Sequence, residues 1–141
     1  MNINKRFLIV AGLAAMTWVG ACAKQEAKTA KSADLKSIYF DFDSSNIQSG
    51  ATSTLKSNAE YMKKHGKKNL AISGHCDERG TAEYNIALGD RRARAAKNFL
   101  VNAGVDAGRL STISYGEEKP AANCHDESCW SKNRRDDFST K

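Results

Sequence analysis

The stretch Gly74-His75-Cys76-Asp77-Glu78-Arg79-Gly80-Thr81 puts an imidazole, a thiol, two carboxylates and a guanidinium within eight residues. Asn85, Leu88, Arg91, Arg92 and Arg94 follow a few positions on. On a helix, Leu88 and Arg92 are four apart and share a face. A carboxylate in the loop and a guanidinium one turn into the helix would then flank a groove. That arrangement suits a zwitterionic ligand: Asp77 accepts from an ammonium while Arg92 forks onto a carboxylate. Solvated surface charge is the competing reading of the same residues.

Other chemistries fit less well. His75-Cys76-Asp77 has the residue types of a cysteine nucleophile, its base and an orienter. Adjacent residues on an extended chain point to alternate faces, whereas a triad must converge, so catalysis is not expected. Cys124, His125 and Cys129, with His75 or Cys76, contain zinc-binding side chains, but four residues between the two cysteines is marginal spacing for a zinc knuckle. A local disulfide between Cys124 and Cys129 is favoured in an exported chain, and a metal or redox use of Cys76, Cys124, His125 and Cys129 is the alternative. Arg91, Arg92, Arg94 and Lys97 make a basic helix without interleaved aromatic residues, which does not fit nucleic-acid binding. No cofactor is expected.

The elements that must position these residues follow from hydrophobic period. Ile38, Phe40 and Phe42 alternate with Tyr39, Asp41 and Asp43, the pattern of a half-buried strand. Ala51, Leu55, Ala59 and Met62 recur at helical spacing and stop at His65-Gly66. Leu70–Gly74 reads as a second strand, Asn85–Ala103 as a second helix ending at Gly104, and Leu110–Tyr115 as a third strand. Leu88, Ala95, Ala96, Phe99 and Leu100 point from that helix towards a core. A loop with Pro120 and the cysteine pair leads to a short helix over Asp126–Arg135 and a weak last strand near Asp136–Thr140. This order predicts an α+β fold, a β-α-β-α-β sandwich with a mixed sheet and helices on one face.

The chain is 141 residues long with a net charge of +6, room for one domain and accessories. That charge suits polyanionic surroundings without selecting among them. Met1–Arg6 is short and basic, Phe7–Ala15 is apolar, and small residues precede Cys22. The layout predicts a secretion signal over residues 1–21, its apolar run too short to span a membrane. Val19-Gly20-Ala21-Cys22 resembles a lipobox, so Cys22 is the expected lipidation site, and two or more acyl chains give stable membrane attachment. Residues 22–36 hold no aromatic side chain and many lysines, and they read as anchor and tether; Ala23–Lys36 reaches at most about 50 Å. Residues 37–141 are the expected folded domain.

Asn85-Ile86-Ala87-Leu88-Gly89-Asp90-Arg91-Arg92-Ala93, running on to Ala96 and Leu100, resembles the OmpA-like peptidoglycan-binding motif. Tyr39–Asp43, Gly74–Gly80, Ser114–Pro120 and Ser131–Arg135 stand around it in the order that peptidoglycan-associated lipoproteins show. The resemblance covers about residues 38–138. It implies that Asp77 and Arg92 clamp the free amino-acid end of meso-diaminopimelate, with Phe42, Asp43, Arg79 and Leu88 completing the site. It also implies a domain in the periplasm, lipid-anchored to the outer membrane and bound to peptidoglycan, with a periplasmic propeller protein of the Tol system as partner and a role in envelope integrity and cell division. Three departures from the family pattern stand out. Cys76 replaces Ala or Thr and is expected as a small buried filler facing away from Asp77, with an oxidisable thiol as the alternative. The cysteine pair lies in a loop that often lacks it. Asp136 follows the arginines where an apolar residue is usual, which predicts a weakened, fraying last strand. Arg134 and Arg135 are expected in structural ion pairs.

Overall fold

The computed structural model describes residues 34–141. The expected signal segment, Cys22 and the tether up to residue 33 lie outside the described residues.

Strand β1 is short, Ile38–Tyr39. Phe40 beyond it is buried, but Phe42 is 57% exposed. The alternation that predicted a strand through Phe42 therefore fails at its end: the chain leaves the sheet and turns at Asp43, whose φ is +50°. Helix α1, Ser49–Lys64, forms where the apolar spacing predicts it and buries Leu55, Ala59 and Met62. Lys63 and Lys64 occupy its last turn, where the helix dipole favours positive charge. Strand β2 is Leu70–His75.

Helix α2, Ala82–Asn102, starts three residues before the expected Asn85. The reason is local: Thr81 Oγ1 accepts the Tyr84 N–H at 3.2 Å and caps the helix. Gly104 ends it with φ +94°, allowing the Val105 N–H to turn back onto the Leu100 carbonyl at 3.0 Å. A single 3-10 turn, Ala107–Arg109, leads into β3, Leu110–Gly116. Helix α3, Glu127–Asn133, is capped by Asp126, whose side chain accepts the Ser128 N–H at 2.8 Å. Strand β4 is Arg135–Thr140.

The four strands lie in the order β1-β4-β2-β3. β2 and β3 are parallel, as the α2 crossover between them requires, and β4 runs antiparallel to both β1 and β2. Ile38, Ile72 and Phe138 share the sheet face on which α1 and α2 pack, and with Leu55, Met62 and Leu100 they form the core. The fold is the α+β arrangement expected, with both long helices on one face.

The last strand departs from expectation. β4 lies between β1 and β2: β1 pairs with Arg135 and Asp136, and β2 pairs with Asp136–Thr140, so Asp136 sits between two strands and does not loosen an edge. Asp136 pairs with Gly74 and with Ile38 and is fully buried, and neither carboxylate oxygen has a hydrogen-bond partner among the described residues. Burial drives its pKa well above the usual carboxylate value, opposed in part by Arg92.

Gly74 and Gly89 let α2 lie directly on β2. A Cβ on Gly74 would stand 2.0 Å from the Gly89 carbonyl oxygen, and one on Gly89 2.3 Å from Ser114 Oγ. This backbone-on-backbone contact fixes how far Asn85, Leu88 and Arg92 stand from the end of β2.

Candidate functional site

β2 delivers the chain into the loop of residues 76–81, and α2 starts immediately after it. The loop is held in shape by Asn85, which is 1% exposed. Its side-chain amide donates to the carbonyls of Asp77 and Arg79 at 3.3 and 3.1 Å and to Glu117 Oε2 at 2.5 Å. Asp77 Oδ1 adds a local turn by accepting the Arg79 N–H at 3.1 Å.

Two turns further along α2 sits Arg92, sealed from solvent. Its Nε donates to the Ser44 carbonyl at 2.8 Å, Nη1 to His75 at 2.8 Å and Nη2 to Asp41 at 3.0 Å. A fourth contact runs from Nη1 to Cys76 Sγ at 3.5 Å. The guanidinium thus joins the turn after β1 to the end of β2. Burial pulls its pKa below the usual value, and nearby Asp136 and Asp77 work the other way. Three main-chain carbonyls take most of the Arg92 donor edge, because the helix face that carries it is the face packed on the sheet.

The cations that grip Asp77 are different ones. Arg79 Nη2 meets Asp77 Oδ2 at 2.7 Å and its Nε meets Oδ1 at 3.1 Å, a two-point fork. Its guanidinium is sandwiched between the Phe42 ring at 3.9 Å and the Trp130 ring at 4.2 Å. From α3's end, Arg134 Nη1 reaches Asp77 Oδ2 at 3.3 Å, while its Nη2 pairs with Glu127 at 2.5 Å. Burial alone would raise the Asp77 pKa; the bonds from Arg79 and Arg134 outweigh it and hold the carboxyl below its ordinary value. Asp77 is a buried, ionised acceptor.

These groups surround a cavity of about 170 Å³. Phe42, Asp43, Asp77, Arg79, Leu88 and Arg92, all singled out from the sequence, line it together with Cys76, Gly80, Tyr84, Asn85 and Arg134. The rim at Phe42, Asp43, Gly80 and Tyr84 is exposed, and the floor of Cys76, Asp77, Asn85, Leu88 and Arg92 is buried. Tyr84 Oη donates to Asp43 across that rim. Sequence reasoning missed Arg134 as a neighbour of Asp77 and Trp130 as a neighbour of Arg79. Their only advance signal was position beside Arg135 and the second cysteine, which says nothing about which loop they face.

The cysteines are settled by geometry. Cys124 and Cys129 are joined in a disulfide, and Cys76 is free and buried. The Cys76 thiol donates to the Asn85 carbonyl at 3.2 Å, and burial pushes its pKa up to about 11. Among the described residues no three His, Cys, Asp or Glu side chains gather where a metal ion would need them. Glu78 accepts from Trp130 Nε1 at 2.9 Å and lies 2.8 Å from His125 Nδ1, tying the disulfide loop to the loop after β2.

His75 faces another way from Cys76 and Asp77, its ring stacked on Tyr115 with centroids 5.4 Å apart. Burial and then the Arg135 charge lower its pKa to about 4, against a partial opposing effect of Asp137. A histidine that holds its proton less firmly when folded stabilises the fold above its unfolded pKa of 6.5, and this contribution is lost as pH falls from there towards 4. The loss amounts to roughly 3 kcal/mol. Asp136, raised by burial, works in the opposite sense, becoming less costly as pH falls. Melting temperatures between pH 7 and pH 4 are expected to fall less steeply for His75→Gln than for the parent chain; parallel curves would show that His75 does not govern this window.

The OmpA family model matches residues 39–134. Over 98 residues, covering 70% of this chain and 58% of the relative, the sequence is 54% identical to the peptidoglycan-associated lipoprotein of Mesorhizobium japonicum. The corresponding lipoprotein of Haemophilus influenzae is 51% identical over 98 residues, with 70% of this chain and 64% of that one covered. The chain therefore spans less than two thirds of the length of these curated relatives. The crystal structure of the peptidoglycan-associated lipoprotein from Burkholderia pseudomallei superposes with a TM-score of 0.72 at 44% identity, covering 74% of this chain and 89% of that chain. The C-terminal domain of Helicobacter pylori MotB shares the fold at 21% identity, with a TM-score of 0.70 and coverage of 75% and 84%.

Proposed function

Because the chain belongs to the OmpA family, we propose that its cavity holds the free amino-acid end of meso-diaminopimelate in the stem peptide of peptidoglycan, as a non-catalytic grip. The observation that carries this reading is the pairing of opposite charges in one cavity: the ionised Asp77 carboxylate lies beside Arg79 and Arg134, with Arg92 on the same floor. A group bearing both an ammonium and a carboxylate complements that set better than a plain cation or anion does. Arg79 occupies the place the ligand ammonium would take on Asp77. Binding exchanges one cation for another there and turns Arg79 towards the ligand carboxylate, which also meets the unused donor edge of Arg92. Phe42 and Asp43 line the approach, and Leu88 supplies an apolar part of the floor.

The remaining layout completes the reading. Residues 1–21 direct export, Cys22 carries the lipid, residues 22–36 are the tether, and residues 37–141 reach the wall from the outer membrane. The names of the relatives support a peptidoglycan-associated lipoprotein, and the family resemblance read from the sequence adds a Tol propeller partner and a role in cell division to the proposal. Each grip on a single stem is expected near micromolar, about −8 kcal/mol. Many anchored domains facing a repeating polymer then hold far longer than one contact, while single weak grips let the wall grow beneath.

The test is co-sedimentation with purified sacculi, with and without excess free meso-diaminopimelate. The chain is expected to pellet with sacculi and to be released by the free amino acid. Pelleting that free diaminopimelate leaves untouched would remove the amino-acid end as the recognised group.

A further inference from the structure

Among the described residues, exposed lysines gather at one end of the sheet, while acids and bases are mixed at the other. Where β2 begins, Lys63 and Lys64 close α1, Lys67 and Lys68 follow, and Lys141 sits beside them with its N–H on the Asn69 carbonyl at 3.0 Å. Lys63, Lys64, Lys67 and Lys141 are exposed, whereas Lys68 is committed to Tyr61 Oη at 2.8 Å. The acids nearby are few: Asp34, Asp106, and Glu60, which pairs with Lys63 at 3.0 Å. Where β2 ends lies the cavity, where the exposed Asp41, Asp43, Glu78 and Glu127 are balanced by Arg79, Arg91 and Arg134. Six strand residues separate the two ends by about 20 Å.

The chain enters at the basic end. Asp34 shares a shallow surface depression with Lys56, Lys64 and His65 on the side of α1, and Leu35 next to it is sealed into the core. The stretch from Cys22 to Asp34 reaches at most about 40 Å. The lysine-rich end and the point of attachment to that stretch are therefore the same end of the domain, and the cavity is at the other.

We propose that this basic end docks on the anionic phospholipid surface in which the chain is anchored, and so turns the cavity away from the membrane. The inference rests on the lipid anchor at Cys22 proposed above. Each lysine brought against an anionic bilayer strengthens the association by about fivefold, and tethering supplies the high local concentration that makes such weak contacts count. A domain hanging from an inert attachment point would present its cavity in every direction; a docked one presents it to the wall.

The full lipidated chain is to be reconstituted in vesicles of phosphatidylcholine alone and of phosphatidylcholine mixed with phosphatidylglycerol. Hydrogen exchange is then followed at residues 62–69. Exchange there is expected to be about fivefold slower on the anionic vesicles. The slowing should vanish at about 0.5 M salt, where charge is screened within a few ångströms. It should also vanish in the Lys63→Gln/Lys64→Glu/Lys67→Glu variant, which alters exposed side chains only and keeps sacculus binding. Equal exchange on both vesicles, with the chain floating with each, overturns the docking while leaving the anchor intact. A chain that floats with neither overturns docking and anchor together, and sacculus binding then reports separately on the cavity. Loss of sacculus binding in the lysine variant assigns the basic end to the wall and overturns the proposal as well.

Discussion

Arg92→Ala is expected to lose about 3–5 kcal/mol of stability, a large share of what a domain of this size has to spare. Three carbonyls, those of Asp41, Ser44 and His75, lose their donor at once. Each buried polar group left unsatisfied costs about 1–3 kcal/mol. The cavity floor also loses the side chain that joins the turn after β1 to the end of β2. Arg92→Lys should recover little, because one ammonium on a flexible stem cannot reproduce a planar fork aimed at three acceptors. Denaturant midpoints of the purified variants check this. A shift of less than about 1 kcal/mol for Arg92→Ala would show that the three carbonyls find other partners. Weak sacculus binding by this variant would, in consequence, say little about ligand contact.

Asp77→Asn is the cleaner probe of the ligand. It keeps the size of the side chain and the oxygen that accepts the Arg79 N–H, and removes the charge. Sacculus affinity is expected to fall at least tenfold, from the loss of about 2 kcal/mol in a charge-assisted bond. Stability also changes, since Arg79 and Arg134 lose an ion-pair partner. The parent Asp77 contributes its stabilisation above the unfolded carboxylate pKa and loses it as pH falls through its own depressed value. Binding must therefore be measured well below the melting temperature of the variant, where a merely structural role leaves the affinity of the folded fraction unchanged. Undiminished affinity under those conditions would sink the role of Asp77 as ligand acceptor.

How much of this was legible in the sequence differs from residue to residue. α1, β2, α2 and β3 were legible because their apolar residues keep one period over a long enough run, as Leu55, Ala59 and Met62 do. The end of β1 was not, since Phe42 continues the alternation while the backbone turns away at Asp43. That Phe42, Asp43, Asp77, Arg79, Leu88 and Arg92 line one cavity followed from the family resemblance; helical spacing alone linked only Leu88 and Arg92. The direction of Arg92 was out of reach, because a helix shows its apolar side by composition and a buried arginine looks like a surface one. The Phe42–Arg79–Trp130 stack joins three distant stretches of chain, and no local pattern announces such a meeting. Asp136 was misjudged for a related reason: strand order is a tertiary property, and only the order β1-β4-β2-β3 puts its carboxyl in the interior.

That strand order also governs when the molecule can assemble. β1 has β4 as its sheet neighbour, so Ile38 waits for Asp136 before its backbone finds a partner. Loop closure over so long a stretch is slow, and it comes after the local pairing of β2, α2 and β3. β1 alone therefore stays without a sheet partner until nearly the whole domain is in place, and the sheet is closed from its last strand.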